Sequence, residues 1–330
     1  MQMTKQFPYP ILNRQQMVEL INLFSSLRIP FLFIIDYKAE NGYVIRRDEL
    51  DEKYIRFSAN KKDKTHGDKS FTWKAKPIGN EAYKNKFDAV VDEIKRGNSY
   101  LVNLTQPAGL ETNFSLSDIY NFGTAKYKLW LKDKFTVLSP EIFVQIRNGI
   151  ISSCPMKGTI DATIHDAENI IINDPKEKAE HATIVDLIRN DLSRVAENVK
   201  VIRYRYIDKL FTNKGELLQV SSEISGKLPE NYLSGTGDII FSLLPAGSIC
   251  GAPKKKTLEI IEKTEGYERG FYTGVFGWFD GENLDSAVMI RFVEQQNDQL
   301  VFKSGGGITC LSDFESEYNE LIQKIYVQVS

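Results

Sequence analysis

The chain has 330 residues, 42% hydrophobic and 26% charged, which is the balance of a folded globular protein and excludes disorder as its main state. Lys and Arg total 42 against 44 Asp and Glu, so the net charge is -2 and no positive field exists to hold a phosphate backbone; nucleic acid is not expected as a partner. The three cysteines (Cys154, Cys250, Cys310) cannot all pair and form no CxxC, which points to a reduced, cytoplasmic setting without a disulfide framework or zinc site. The opening MQMTKQFPYP has no apolar signal-like core, and no run reaches the ~18 apolar residues of a membrane span. GxxxxGK, HExxH and the spaced GxGxxG are all absent.

In chain order, residues 14–28 carry apolar residues at helical spacing, and FLFIID (31–36) reads as a strand. YVIRRDEL and YIRFSA read as further strands, and the charged stretch 60–70 as a mobile loop. Residues 81–96 predict an amphipathic helix closed by Gly97 and Asn98, followed by a strand at YLVNLTQP. The alternation over 126–153, with turns at Lys132-Asp133 and Asn148-Gly149, predicts antiparallel hairpins. Asp174 caps a helix that starts on Pro175 and runs to about Ala196, with Glu177 placed to complete a capping box. Strands near 199–225 and a helix from Pro253 to about Lys263 follow. Three strand-like runs, FYTGVFGWFD, LDSAVMIRFV and LVFKSG, then precede a final helix over FESEYNELIQKIYVQV, 314–329. No Pro/Gly/Ser-rich linker divides the chain, so one interleaved domain over 1–330 is expected.

Glu177 and Glu180 share one helix face, as do Glu317 and Glu320. Were the two faces to converge, they would form an oxygen-only site suited to Mg²⁺; each pair alone also fits a solvated helix start that offsets the dipole. Lys157 lies on a turn between Pro155 and Gly158, either a surface lysine or an amine held in a cleft, where partial desolvation would depress its pKa and free it as a nucleophile. Glu141, after a proline, is either a loop residue or a buried general acid. Gly305-Gly306-Gly307 follows a strand and is either a flexible turn or a place where amides approach an anion. Arg291 closes an apolar run and could clamp a carboxylate or pair with an internal acid.

Together GNSYLVNLTQ, LSPEIF, CPMKGT, EKAEHATIVDLIRNDLSRV, LLPAGSICGAPKKKTLEII, RGFYTGVFGWFDGENLDSAVMIRF and KSGGGITCLSDFESEYNELIQK resemble the chorismate-utilising enzyme family over roughly residues 80–325, with 1–80 resembling a shortened N-terminal region. The resemblance implies an α+β sandwich of two packed, mostly antiparallel sheets with outer helices and a cleft between them. It implies Glu180 and Glu320 as direct Mg²⁺ ligands, with Glu177 and Glu317 beside them. It implies Gly158, Thr159, Ser248, Tyr272, Arg291 and the amides of Gly305, Gly306 and Gly307 as the chorismate-binding set, Glu141 as general acid, and Lys324 as a further lysine of the site.

Within the family, Pro155-Met156-Lys157-Gly158-Thr159 resembles the lysine-bearing turn of aminodeoxychorismate synthase component I, whereas the anthranilate, isochorismate and salicylate enzymes resemble one another in having alanine there. That branch implies 4-amino-4-deoxychorismate as product, through a Lys157 adduct at C2. Leu101 stands where the isochorismate and salicylate enzymes have lysine, and Leu218 where many members have histidine; both departures disfavour the other branches. No tryptophan-feedback signature is found. The chain carries no glutaminase signature, so ammonia is expected free or from a separate glutamine amidotransferase subunit, with a separate lyase downstream. Anthranilate synthase component I and a non-catalytic chorismate-binding subunit remain as alternatives.

Overall fold

The computed structural model describes residues 7–59, 70–212 and 215–327; the loop expected over 60–70 lies outside them except for Ser70. Strands run β1 (Leu12–Asn13), β2 (Phe31–Ile35), β3 (Asn41–Arg46), β4 (Ile55–Ala59), β5 (Trp73–Lys76), β6 (Leu101–Thr112), β7 (Tyr127–Leu131), β8 (Phe135–Ser139), β9 (Ile142–Arg147), β10 (Ile150–Ser153), β11 (Met156–Asp161), β12 (Glu197–Thr212), β13 (Gly215–Lys227), β14 (Gly251–Ala252), β15 (Val275–Phe279), β16 (Leu284–Val288), β17 (Phe292–Gln296) and β18 (Gln299–Ile308). Helices are α1 (Arg14–Ser26), α2 (Asn80–Lys95), α3 (Leu116–Phe122), α4 (Ala167–Asn173), α5 (Pro175–Leu192), α6 (Thr236–Leu243), α7 (Lys254–Glu265) and α8 (Phe314–Gln323).

The described strands form two sheets. The ten-stranded one runs β1-β3-β2-β15-β16-β9-β10-β13-β11, with β12 also on β13; the eight-stranded one runs β14-β6-β18-β17-β8-β7-β4, with β5 also on β6. Every pairing among the described residues is antiparallel.

The unbroken apolar run of β2 follows from burial on both faces. Phe31, Phe33 and Ile35 join Met17 and Ile21 of α1, while Leu32 and Ile34 turn inward to Tyr127, Leu129 and Val137 of the other sheet. β7 repeats the arrangement, with Leu129 and Leu131 facing inward and Trp130 facing Leu116 and Ile119 of α3. The layers are therefore helix, sheet, sheet, helix. The first 80 residues supply β1 to β5 to both sheets.

Local signals account for several joints. Asn148 and Gly149 both have left-handed φ, 51° and 73°, as the Asn-Gly hairpin turn requires. Asp174 accepts the Glu177 N–H at 2.8 Å and starts α5 on Pro175.

Three sequence expectations are corrected. LDSAVMIRFV is not one strand. Met289 N–H still bonds to Gly274 beside the first sheet at 2.8 Å, whereas Arg291 C=O accepts from Leu138 of the second at 3.2 Å. The chain changes sheets between them, with Arg291 at φ 51°. The glycine run lies inside β18, opposite β6, rather than in a turn after it. The last helix stops at Gln323.

Candidate active site

The cleft opens where β11 and the start of β9, from one sheet, meet β18 of the other, with the first turns of α5 and α8 above. In β11, Gly158 has φ 79° and takes up a register shift between Lys157 and Thr159. This bulge aims the Lys157 amine inward. Its Nζ lies 3.4 Å from Glu180 Oε2, with the side chain 20% exposed. A Cβ on Gly307 would stand 3.3 Å from that amine and 3.4 Å from Glu180 Oε2, so only glycine leaves the space open.

All four carboxylates face the same cleft. A Cβ on Gly158 would lie 3.2 Å from Glu177 Oε2, and one on Gly306 would lie 3.5 Å from both Glu317 Oε2 and Glu320 Oε1. Glu180 and Glu317 are buried. Glu180, Glu317 and Glu320 are each engaged by an ammonium group, and Glu317 by a hydroxyl as well. Lys176 Nζ is 2.7 Å from Glu317 Oε1 and 3.9 Å from Glu180 Oε1. Ser312 Oγ donates to Glu317 Oε1 at 2.7 Å. Lys324 Nζ is 2.5 Å from Glu320 Oε1 and donates to Gly305 C=O at 3.2 Å. Among the described residues no three carboxylate, imidazole or thiol groups are drawn closely enough to hold a metal ion.

The electrostatics follow from this crowding. Burial pushes the Glu177 carboxyl up, and the Glu180 charge adds to it. Burial likewise raises Glu317, against the hydrogen bonds from Lys176 and Ser312. Burial acts the same way on Glu320, but Lys324, Lys157 and Lys176 outweigh it and hold the carboxyl low. For Lys157 the sequence expectation of a depressed pKa is reversed. Desolvation does pull it down, yet Glu180, Glu320, Glu177 and Glu141 together hold the amine above its ordinary value.

Glu141 precedes β9, and its carboxylate accepts from Ser248 Oγ. Burial raises its pKa despite Ser248, Lys157, Arg291 and Lys324, as a group that delivers a proton near neutrality requires. Tyr272 is buried with its ring 5.8 Å from Phe292. Arg291 stacks on the Tyr326 ring at 4.9 Å, and no carboxylate pairs with it among the described residues.

The amides of the glycine run are not equivalent. Thr105 and Asn103 of β6, opposite Gly305 and Gly307, send their N–H groups away from β18, to Glu265 Oε1 and Cys250 C=O, both at 2.7 Å. Gly305 and Gly307 therefore occupy non-hydrogen-bonded positions, and β17 begins opposite Lys303, so it does not reach them. Their amides face the cleft, while that of Gly306 is spent on the ladder. Thr159 is exposed, and its hydroxyl accepts from Gln219 Nε2 at 3.5 Å.

Leu101 is buried, with Cδ1 2.9 Å from the position of a Gly307 Cβ, so an apolar group lines the cleft beside Lys157. Leu218 is buried in β13 opposite Ile160. Its neighbour Gln219 instead carries a polar side chain toward β11, with a buried Oε1 that has no partner among the described residues. Gln219, Ser312 and Lys176 are the residues that sequence reasoning missed. Only Lys176 left a signal there: a cation in the first turn of a helix opposes the dipole and calls for a compensating partner.

The sequence matches the profile of chorismate binding enzymes over residues 30–330. The chain belongs to that family. An uncharacterized PabA-like protein of Pasteurella multocida is 48% identical over 323 residues, covering 94% of this chain and 98% of that protein. Anthranilate synthase component 1 of Acetivibrio thermocellus is 33% identical, over 70% of this chain and 49% of its own length. Aminodeoxychorismate synthase component 1 of Bacillus subtilis is 30% identical, over 76% of this chain and 56% of its own length. The chain thus spans about half the length of these two named synthases. The menaquinone-specific isochorismate synthase of Escherichia coli shares the fold, with a TM-score of 0.69 at 14% identity over 94% of this chain and 80% of that one. The family match starts 50 residues before the resemblance read from the motifs (80 − 30), in keeping with β2 and β3 being built into the first sheet. No helix among the described residues is long and apolar enough to cross a membrane.

Proposed function

We propose that this chain is an aminodeoxychorismate synthase component I, converting chorismate and ammonia to 4-amino-4-deoxychorismate and water. The observation that carries the reading is the Lys157 amine, aimed into the cleft between Glu180 and the open face of Gly307.

Chorismate carries two carboxylates. Arg291, free of any carboxylate among the described residues, and the cleft-facing amides of Gly305 and Gly307 suit one of them. The four glutamates match a hard divalent cation in donor type. When bound among Glu177, Glu180, Glu317 and Glu320, a Mg²⁺ ion supplies positive charge for the ring carboxylate and offsets the negative field that keeps Lys157 protonated.

The neutral Lys157 amine attacks C2 while the double bond shifts and the C4 hydroxyl departs. Glu141 protonates that hydroxyl, so it leaves as water. Ammonia then attacks C4, the double bond shifts back, and the lysine amine is released. Two displacements give net retention at C4, which a single direct displacement would not. Leu101, apolar beside Lys157, disfavours a water molecule poised to attack C2 instead. The PabA-like naming of the P. multocida relative and the component-1 naming of the B. subtilis relative support a glutamine amidotransferase subunit as the source of ammonia. Release of pyruvate from the product falls to a separate lyase.

The test is a product assay with chorismate, Mg²⁺ and an ammonium salt. 4-Aminobenzoate is expected only when 4-amino-4-deoxychorismate lyase is added, and Lys157→Ala is expected to abolish it. Anthranilate as the wild-type product would overturn the reading in favour of the branch represented by the A. thermocellus relative.

A further inference from the structure

We propose that Lys176 is a built-in counter-ion for the acidic cleft, the ammonium group that a divalent cation must displace in order to bind. The inference rests on the Mg²⁺ reading above and concerns how that site is kept when no metal is in it.

Lys176 occupies the second position of α5. A cation there faces the positive end of the helix dipole, which disfavours it. Its ammonium is nonetheless held in place, 2.7 Å from Glu317 Oε1 and 3.9 Å from Glu180 Oε1. It thereby joins one carboxylate of α8 to one of α5. Those two are the most buried of the four, with side chains 1% and 7% exposed.

The other two ammonium groups are tied differently. Lys157 lies on the opposite oxygen of Glu180, Oε2, and Lys324 pairs with Glu320 four residues earlier on its own helix. Among the described residues Lys176 alone bridges the two acidic helices, and it reaches them from a side chain 30% exposed, on the first turn of a helix, with a route out to solvent.

Three ammonium groups against four carboxylates leave a local charge of about -1. A dication among them cannot tolerate an ammonium on the same two carboxylates, because it competes for the same lone pairs and repels at contact range. The binding free energy of the metal is therefore reduced by whatever the Lys176 contacts are worth. A charge-assisted hydrogen bond contributes about 1.5–3 kcal/mol, so the metal-site affinity is set roughly 10- to 100-fold below that of the bare carboxylates. What the chain gains is a cleft that stays folded without metal, since two buried carboxylates on facing helices would otherwise repel each other.

The test measures Mg²⁺ and Mn²⁺ binding directly, by calorimetry and by Mn²⁺ paramagnetic resonance, on the full chain as wild type, Lys176→Met, Lys176→Gln and Lys176→Arg. Lys176→Met is expected to bind either ion at least tenfold tighter and to melt lower than wild type when metal-free, with saturating Mg²⁺ closing the gap. Lys176→Gln keeps a donor for Glu317 without the charge and is expected to shift the same way; it decides the matter if the methionine variant does not fold. Lys176→Arg is expected to bind no tighter than wild type. Uncharged variants that bind metal equally or more weakly would overturn the proposal and leave the Mg²⁺ site standing. Wild type and variants that all fail to take up either ion would overturn both.

Discussion

Two clusters of acidic and basic side chains lie in the same molecule, and they are built on opposite plans. Behind the cleft, Glu265 and Arg269 are both 2% exposed. Glu265 Oε1 accepts from Thr105 N, Thr105 Oγ1 and Arg269 Nη2, and its Oε2 from Arg269 Nε, all at 2.6–2.8 Å. The remaining donors of Arg269 reach Ile249 C=O, Thr273 Oγ1 and Asn103 C=O, so all five of its N–H groups are used. In the cleft, four carboxylates and three ammonium groups satisfy one another in part and in arrangements that can be exchanged. The first cluster is a fixture and the second is a place for something else to bind. Burial of charge is affordable in the first because it is completely paired.

The largest expected effect comes from breaking the fixture. Arg269→Met leaves Glu265 buried without its counter-ion, and a loss of about 3–5 kcal/mol in unfolding free energy is expected from denaturant titration. Because Arg269 also ties down the carbonyl next to Ser248, the hydroxyl next to Tyr272 and the residue opposite Gly307, the substrate KM is expected to rise in whatever fraction still folds. A variant that unfolds like the wild type would show that the pairing merely balances its desolvation cost.

Next in size is Glu141→Gln, which removes a proton donor but keeps an acceptor for Ser248. Turnover is expected to fall roughly 10²–10³-fold. Stability is expected to move the other way. Burial raises the folded-state pKa of Glu141 above its unfolded value, so between the two the native chain binds more protons than the unfolded chain. Wild-type stability is therefore lost as pH rises through that window. The glutamine variant should be the more stable protein at neutral pH, with its advantage vanishing below the ordinary carboxyl range. A variant that is less stable at every pH would show that Glu141 stays ionised and well paired.

The contrast between the two clusters also separates what can be read in sequence from what cannot. The acidic cleft is local in sequence: Glu177 and Glu180, Glu317 and Glu320, and Pro155 to Thr159 each sit within one short segment with a recognisable pattern. The Glu265–Arg269 network draws on Thr105, Asn103, Ile249 and Thr273, whose meeting depends on how β6, α7 and β15 pack, and no periodicity announces it. The hairpins and α5 were legible because Asn-Gly and Asp-Pro fix backbone angles. The sheet change at Met289–Arg291 was not, because its residues are as apolar as a continuous strand. The helices α3, α4 and α6 are seven or eight residues long, too short for two turns of pattern to accumulate. The raised pKa of Lys157 escaped because desolvation is visible in a motif, whereas the charges that oppose it come from three other segments.

His181 lies between the two plans and gives the smallest and most specific prediction. It follows Glu180 on α5 and is buried, with Nε2 2.6 Å from Ser222 Oγ. Ser222 Oγ also accepts the Arg205 N–H at 2.9 Å. Nδ1 is buried with no partner among the described residues, so an imidazolium would carry a buried N–H with nothing there to receive it. Burial first, then Arg205 and Lys157, lowers the pKa to about 4 from an unfolded value of 6.5. Below pH 6.5 the unfolded chain takes up a proton that the native chain refuses until about pH 4, so this residue removes stability as pH falls across that interval. At pH 5 the loss should be on the order of 1–2 kcal/mol, allowing for partial solvent screening. The raised carboxyls Glu141, Glu177 and Glu317 slope the opposite way, so the wild-type profile alone does not isolate it. The difference between wild type and His181→Gln does: the variant should gain on the wild type steadily from pH 6.5 to 4, as measured by urea unfolding at each pH. A constant difference would mean that the imidazole finds a partner for Nδ1 on protonation, and that this end of α5 belongs with the exchangeable cleft rather than with the fixed interior.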